Sequence, residues 1–182
     1  MQKLRVFESI SIDGYFADRD DGMSWAHAAP QDPEFNTWVS NNASGGGALL
    51  FGRKTYEQMA SFWPTPEAAR QMPAVAKGMN AAVKYVASRT IKPTWTNTQL
   101  LHGELVNAVR ELKNQPGAGI TVLGSGSVAA QLGDAGLVDH YMFVIVPIAL
   151  GGGRTVFTKQ ASLALVEQRA FANGNVVVTY AT

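Results

Sequence analysis

The stretch Thr121 to Leu132, TVLGSGSVAAQL, passes from an apolar run through two glycines into a helix-like segment. Its core, Gly124-Ser125-Gly126-Ser127-Val128-Ala129, satisfies the dinucleotide fingerprint G-x-G-x-x-G/A. The chemistry such a turn offers is anion binding. N–H groups at a helix start lack intrahelical acceptors, the helix dipole favours negative charge there, and glycine lets a phosphate approach the backbone. The full fingerprint also demands the first strand–turn–helix unit and an acidic residue about 20 positions on, closing the next strand. Here the turn begins at Gly124, and Asp139 opens the following strand instead of closing it. Position and partner exclude the doubly wound dinucleotide fold and leave anion binding open, beside the plainer reading of a structural turn.

Two further junctions carry the same chemistry. In LLFGRKTYE, Gly52 ends an apolar run and Arg53, Lys54 and Thr55 open a helix. Cations are disfavoured by the dipole at a helix N-terminus, so two in succession fit an anion bound between them. The alternative is a solvated cationic turn. In YVASRT, a strand ends on Ser88-Arg89-Thr90, again a hydroxyl and a guanidinium. Ligands in open α/β sheets bind at the carboxyl ends of strands, and an arginine there distinguishes NADP from NAD through the 2′-phosphate.

These junctions need strands and helices in alternation to hold them, and the chain supplies both. KLRVFESISIDG reads as a strand stopping at Asp13-Gly14. Asp32 is a candidate N-cap before Pro33, with Phe35, Trp38 and Val39 on one helical face. ALLF is a short strand before the GRKTYEQMASF helix, and TPEAARQMPAVAKGM is helical but broken at Pro73. AVKYVAS, TQLL, GITVLG and LVDHYMFVIVPIAL read as strands, and HGELVNAVRELKNQ and SVAAQLGDAG as helices. Asn173-Gly174 between two apolar runs signals a closing hairpin. The sum is a single three-layer α/β/α domain over 1–182, with a mixed, mostly parallel sheet of about eight strands and a C-terminal antiparallel hairpin.

Composition bounds the function. Hydrophobic residues make up 46% and charged residues 16% of the 182, an ordinary globular balance. A net charge of +1 gives no broad basic face for nucleic acid. With no cysteine, disulfides, thiolate metal sites and cysteine nucleophiles are excluded. His27, His102 and His140 have no ligand spacing, so no metal is expected. The longest apolar run, Tyr141 to Leu150, is half a membrane span and contains Pro147. The N-terminus has no signal-peptide core, which makes the cytoplasm the expected location.

SISIDGYFA, LLFGRKTYE, VASRT, VLGSGSVAAQL and PIALGGGRTVF occur in an order and spacing that resemble the dihydrofolate reductase-like superfamily. They look closest to the reductase domain of the bacterial riboflavin-synthesis deaminase–reductase and its stand-alone relatives. The resemblance covers nearly the whole chain. It implies an NADPH-dependent reductase of a small heterocyclic or carbonyl substrate, pteridine- or pyrimidine-like, and a homodimer. Gly52, Arg53, Lys54, Thr55, Ser88 and Arg89 would hold the 2′-phosphate. Gly124, Ser125, Gly126, Ser127 and Val128 would cradle the pyrophosphate. Ser11 to Gly14 would lie near the nicotinamide, and Ile12, Trp25 and Phe35 would contact substrate. Three departures argue against folate: Ser125 replaces the second glycine of the usual Gly-Gly turn, Ala129 stands near the usual aromatic position, and Trp25 and Asp32 are slightly farther apart than the usual Trp and acid.

Hydride transfer to C=N or C=O needs a held nicotinamide, a proton and the exclusion of water. Asp32 is the first candidate acid and Asp13 the second. Their other readings are a plain N-cap and an Asp-Gly turn. A non-catalytic NADP(H)-binding module would share the phosphate junctions and need neither acid.

Overall fold

The computed structural model describes residues 1–182. Eight strands form one sheet: β1 (Leu4–Ser11), β3 (Ala48–Gly52), β4 (Lys84–Ala87), β5 (Thr98–Leu100), β6 (Ile120–Leu123), β7 (His140–Val146), β9 (Ala164–Ala170) and β10 (Val176–Ala181). Two short strands, β2 (Tyr15–Ala17) and β8 (Arg154–Thr155), pair with each other outside it. The order across the main sheet is β5-β4-β3-β6-β1-β7-β10-β9. All neighbours from β5 to β7 are parallel, and β10 runs antiparallel to both β7 and β9. This is the expected mixed sheet with its closing hairpin.

Alternation along β1 divides the core. Leu4 and Val6 point to one face, where they join Leu50, Ile120 and Val122. Helices α5 (Leu105–Asn114) and α6 (Gly126–Asp134) cover that face through Val109, Leu112, Val128, Ala129 and Leu132. The opposite face carries Phe51 and Val86 beneath α2 (Arg53–Phe62) and α4 (Pro73–Ala81), which supply Tyr56, Val75 and Met79. Farther along that face, Phe7 and Val144 meet Phe35 and Trp38 of α1 (Pro33–Ser44). Helix α3 (Pro66–Gln71) is split from α4 at Pro73, as expected of a residue that cannot continue the backbone ladder.

One local reading changes, and two details are added. β7 ends at Val146 instead of running to Leu150, because Pro147 has no N–H to extend the ladder. The expected hairpin between β9 and β10 is closed by Phe171 to Asn175, which contains Asn173-Gly174, with Gly174 N–H donating to Phe171 O at 3.0 Å. The β2/β8 ribbon had no sequence signal: strands of three and two residues hold their shape through contacts with the rest of the chain.

Candidate functional site

Parallel pairing places the carboxyl ends of β4, β3, β6, β1 and β7 along one rim of the sheet. Gly52 is level with Ala87, so the Arg53 turn and Ser88-Arg89 lie side by side. Leu50 pairs with Val122, which sets the Gly124–Ser127 turn on the other side of β3. The three basic or glycine-rich junctions of the sequence thus occupy adjacent strands.

Ser125 joins two of them. It stands at the N-cap of α6 in the left-handed conformation (φ 64°, ψ 60°), directly after Gly124 at φ 59°. An N-cap serine ordinarily spends its hydroxyl on its own helix. Here the left-handed backbone turns it outward. Ser125 Oγ accepts a hydrogen bond from Gly52 N–H at 2.7 Å and donates one to Thr55 Oγ1 at 2.7 Å. The N-termini of α2 and α6 are therefore tied within hydrogen-bond reach of each other. Neither has a side-chain cap, and the first N–H groups of each have no intrahelical acceptor.

The cations of this rim are loosely held. Arg53 pairs with Glu57 at 3.1 Å and Arg89 with Glu104 at 3.5 Å, all four side chains being about half exposed or more. Ser88 Oγ accepts from the N–H groups of Thr90 and Ile91. Lys54 reaches Asp21 at 3.8 Å, and Arg154 reaches the same carboxylate at 3.0 Å while lying over the Phe16 ring.

Two residues of the expected cradle have other work. Gly126 lacks a side chain because the Phe16 ring occupies that space. Val128 is buried in the core, and its N–H is spent on Ser125 O at 2.8 Å. Gly124 does face a close neighbour, Thr55, whose methyl would stand 3.0 Å from an added Cβ.

Both candidate acids are engaged by N–H and O–H donors. Asp13 accepts from Ser11 Oγ at 2.6 Å, from Leu150 N–H at 3.1 Å and from Gly151 N–H at 2.7 Å. The Ser11 hydroxyl and these two N–H groups hold its carboxyl down to about 2. The same bonds fasten the Gly151–Gly153 loop to the end of β1. Asp32 is the N-cap of α1: Oδ1 accepts from Glu34 and Phe35 N–H, and Oδ2 from Asn173 N–H. The Phe35 N–H bond, with those of Asn173 and Glu34, keeps it below the ordinary carboxylate range. Both aspartates thus anchor backbone in this structure, Asp13 the Gly151 loop and Asp32 the start of α1.

Of the proposed substrate contacts, Ile12 is 68% exposed at the rim. Phe35 is half-buried and stacks on Trp38 with 5.9 Å between centroids and 17° between planes, and Phe7 and Phe171 complete the cluster. Trp25 packs against the same wall and donates from Nε1 to Gly22 O at 3.2 Å. This aromatic wall lies on the face of β1 opposite α6.

One residue escaped the sequence reading. Glu8 of β1 is 3% exposed, and its Oε2 has no hydrogen-bond partner. Alternation places it with Leu4, Val6 and Ile10 on the α6 face, and that periodicity was the available signal. Burial pushes its carboxyl up to about 8. No group of three or more acidic or histidine side chains is arranged to hold a metal, and no helix is long and apolar enough to cross a membrane.

An open mixed α/β sheet of this order, with two helix N-termini and several cations gathered at its carboxyl rim, has the dihydrofolate reductase-like fold. Within that class the chain belongs to the RibD C-terminal domain family, whose model matches residues 2–178. It is 25% identical over 175 residues, 94% of this chain and 90% of the other, to the uncharacterized protein YyaP of Bacillus subtilis strain 168. A putative riboflavin biosynthesis protein from Shewanella sp. PV-4 superposes with a TM-score of 0.69 at 22% identity, covering 100% of this chain and 98% of that one. The diaminohydroxyphosphoribosylaminopyrimidine deaminase/5-amino-6-(5-phosphoribosylamino)uracil reductase of Thermotoga maritima gives 0.71 at 14% identity, with 99% of this chain matching 56% of that one. A pyrimidine reductase-like protein from Corynebacterium diphtheriae gives 0.61 at 12% identity, covering 99% and 91%.

Proposed function

We propose that this chain is an NADPH-dependent reductase of a small planar heterocycle of the pyrimidine or pteridine kind. The carrying observation is the Ser125 bridge, which pins the N-termini of α2 and α6 together with Arg53 beside them. Two positive helix ends and a guanidinium at one place repel one another, and a bound polyanion relieves that repulsion. The donor set fits the group. Arg53 and Arg89 flank Ser88 at the β3 and β4 ends and suit a 2′-phosphate. The N–H groups of Gly126 and Ser127 suit a pyrophosphate at the β6 end.

Bound along that rim, NADPH supplies the hydride. Ser11, Ile12 and the Gly151 loop, fastened by Asp13, form the wall at the β1 and β7 ends where the nicotinamide would lie. Phe7, Phe35 and Trp38 offer flat apolar surfaces to a heterocycle. Since Asp13 and Asp32 are held ionised, the proton that completes the reduction comes from water admitted at this rim.

The test is fluorescence titration with NADPH and with NADH. Arg53→Ala and Arg89→Ala should each weaken NADPH about tenfold, the value of one charge-assisted pair, and leave NADH nearly unchanged. Absence of binding by folded protein would refute the reading, and equal losses for both cofactors would refute the 2′-phosphate assignment. NADPH binding without turnover on a panel of pyrimidines and pteridines would favour a non-catalytic binding module.

A further inference from the structure

Glu8 is the buried acid that the reading above leaves without a task. Strand β6 ends at Leu123, which pairs with Phe7, and Gly124 N–H donates to Phe7 O at 3.3 Å. Glu8 is therefore level with Gly124, the first residue of the anion turn, and on its other side it is level with Phe143 of β7. Above this face lies α6, whose Val128, Ala129 and Leu132 share a core with Val6, and Phe16 seals the helix start by packing on Gly126. The carboxyl is thus enclosed beneath the turn, with Oε2 unpartnered. A role in packing alone would be met by an apolar residue at lower cost, since Ser9 N–H offsets only part of the burial of this carboxyl and Oε2 stays unpartnered.

The other titratable groups on this face are occupied elsewhere. Tyr141 of β7 stacks on Phe143 and Phe157. Asp134, at the far end of α6, accepts from Thr158. Lys113 of α5 is tied to Asp139 at the opposite rim, and Arg154 stands behind the Phe16 ring. Arg5 lies on the other face of β1, bonded to Thr121. None of them compensates a charge on Glu8.

We propose that Glu8 is a positioning residue of the phosphate turn and couples anion binding there to a proton: the neutral acid tolerates a phosphate on Gly126 and Ser127, and the carboxylate opposes one. This rests on the NADPH reading of the turn. Burial pushes the free acid up to about 8, and a phosphate overhead would raise it further. Above it, binding takes up one proton from solvent onto the Glu8 carboxylate, with no other bond changed.

The experiment is NADPH titration of the wild type and of Glu8→Gln at pH 7 and pH 9. Gln preserves the volume and cannot ionise. Wild-type affinity should fall about tenfold across that range, as the protonated fraction falls, whereas Glu8→Gln should change less than about twofold. Calorimetry on the wild type alone, in buffers of different ionisation enthalpy, should show proton uptake near zero at pH 7 and approaching one at pH 9. That measurement serves even where the variant is insoluble. Parallel pH profiles in the two proteins, or no proton uptake at pH 9, would overturn the coupling alone. Failure of the wild type to bind at pH 7 would overturn the cofactor reading and this inference with it.

Discussion

The two rims of the parallel sheet are built on different terms. At the amino rim a shared ion-pair network ties strands and helices together. Asp139 accepts from Leu4 N–H at 2.7 Å, from Lys113 at 2.6 Å and from Lys3 at 3.3 Å, and Lys113 also donates to Leu137 O. Gln2 links α5 to the start of β6 by bonding Leu112 O and Gly119 N–H. At the carboxyl rim, Arg53 and Arg89 are exposed and held by single carboxylates, and Ser125, a residue with a side chain, takes the left-handed conformation. One rim spends its polar groups on the fold, and the other leaves exposed cations and two uncapped helix starts.

Breaking the amino rim should give the largest loss of stability. Asp139→Ala strands the nearly buried Lys113 and leaves Leu4 N–H unpaired. It should cost about 3 kcal/mol in denaturant unfolding, with NADPH affinity unchanged once the protein is folded. A drop in affinity as large as the drop in stability would erase the distinction between the rims.

Gly126→Ala comes next, because its methyl group would overlap the Phe16 ring. Overpacking here should cost about 1–3 kcal/mol and, unlike Asp139→Ala, should also weaken NADPH by displacing the start of α6. A melt indistinguishable from the wild type would mean that Phe16 yields freely and does not seal the turn.

Ser125 sharpens the contrast at a smaller scale. Ser125→Ala keeps the left-handed strain and loses both bridge bonds, so it should be destabilised by about 1 kcal/mol. Ser125→Gly loses the same bonds and relieves the strain, so its melting temperature should lie above that of the alanine variant and near that of the wild type. The order of the two melting temperatures is the measurement, and the reverse order would show that the backbone there is unstrained. Arg53→Ala and Arg89→Ala close the series, with stability changes within about 0.5 kcal/mol despite their effect on binding.

Much of this was legible in the residues. The junctions at Gly52, Ser88-Arg89 and Gly124 lie on adjacent strands because alternating strands and helices in this order wind into a parallel sheet. The N-cap at Asp32 was legible too, since Asp before Pro satisfies a helix start by local geometry alone. What stayed hidden depends on distant contacts. Gly126 looks like a phosphate glycine until Phe16, far away in the chain, is seen filling its space. The anchoring of Asp13 to Leu150 and Gly151 is likewise invisible from either segment. Glu8 was readable from its register with Leu4, Val6 and Ile10, but an acid inside an apolar alternation passes easily for a solvent-facing residue.

The Ser125 bridge has a consequence for kinetics. It fixes the relative position of two helix ends during folding, before any ligand arrives, so the ordering entropy of that part of the pocket is already spent when a ligand enters. Association then needs no rearrangement of the two turns and is set by diffusional encounter with the exposed Arg53 and Arg89. Residence time is set by the contacts made after docking, so substitutions beneath the turn would register in the dissociation rate, and those of the two arginines in both rates.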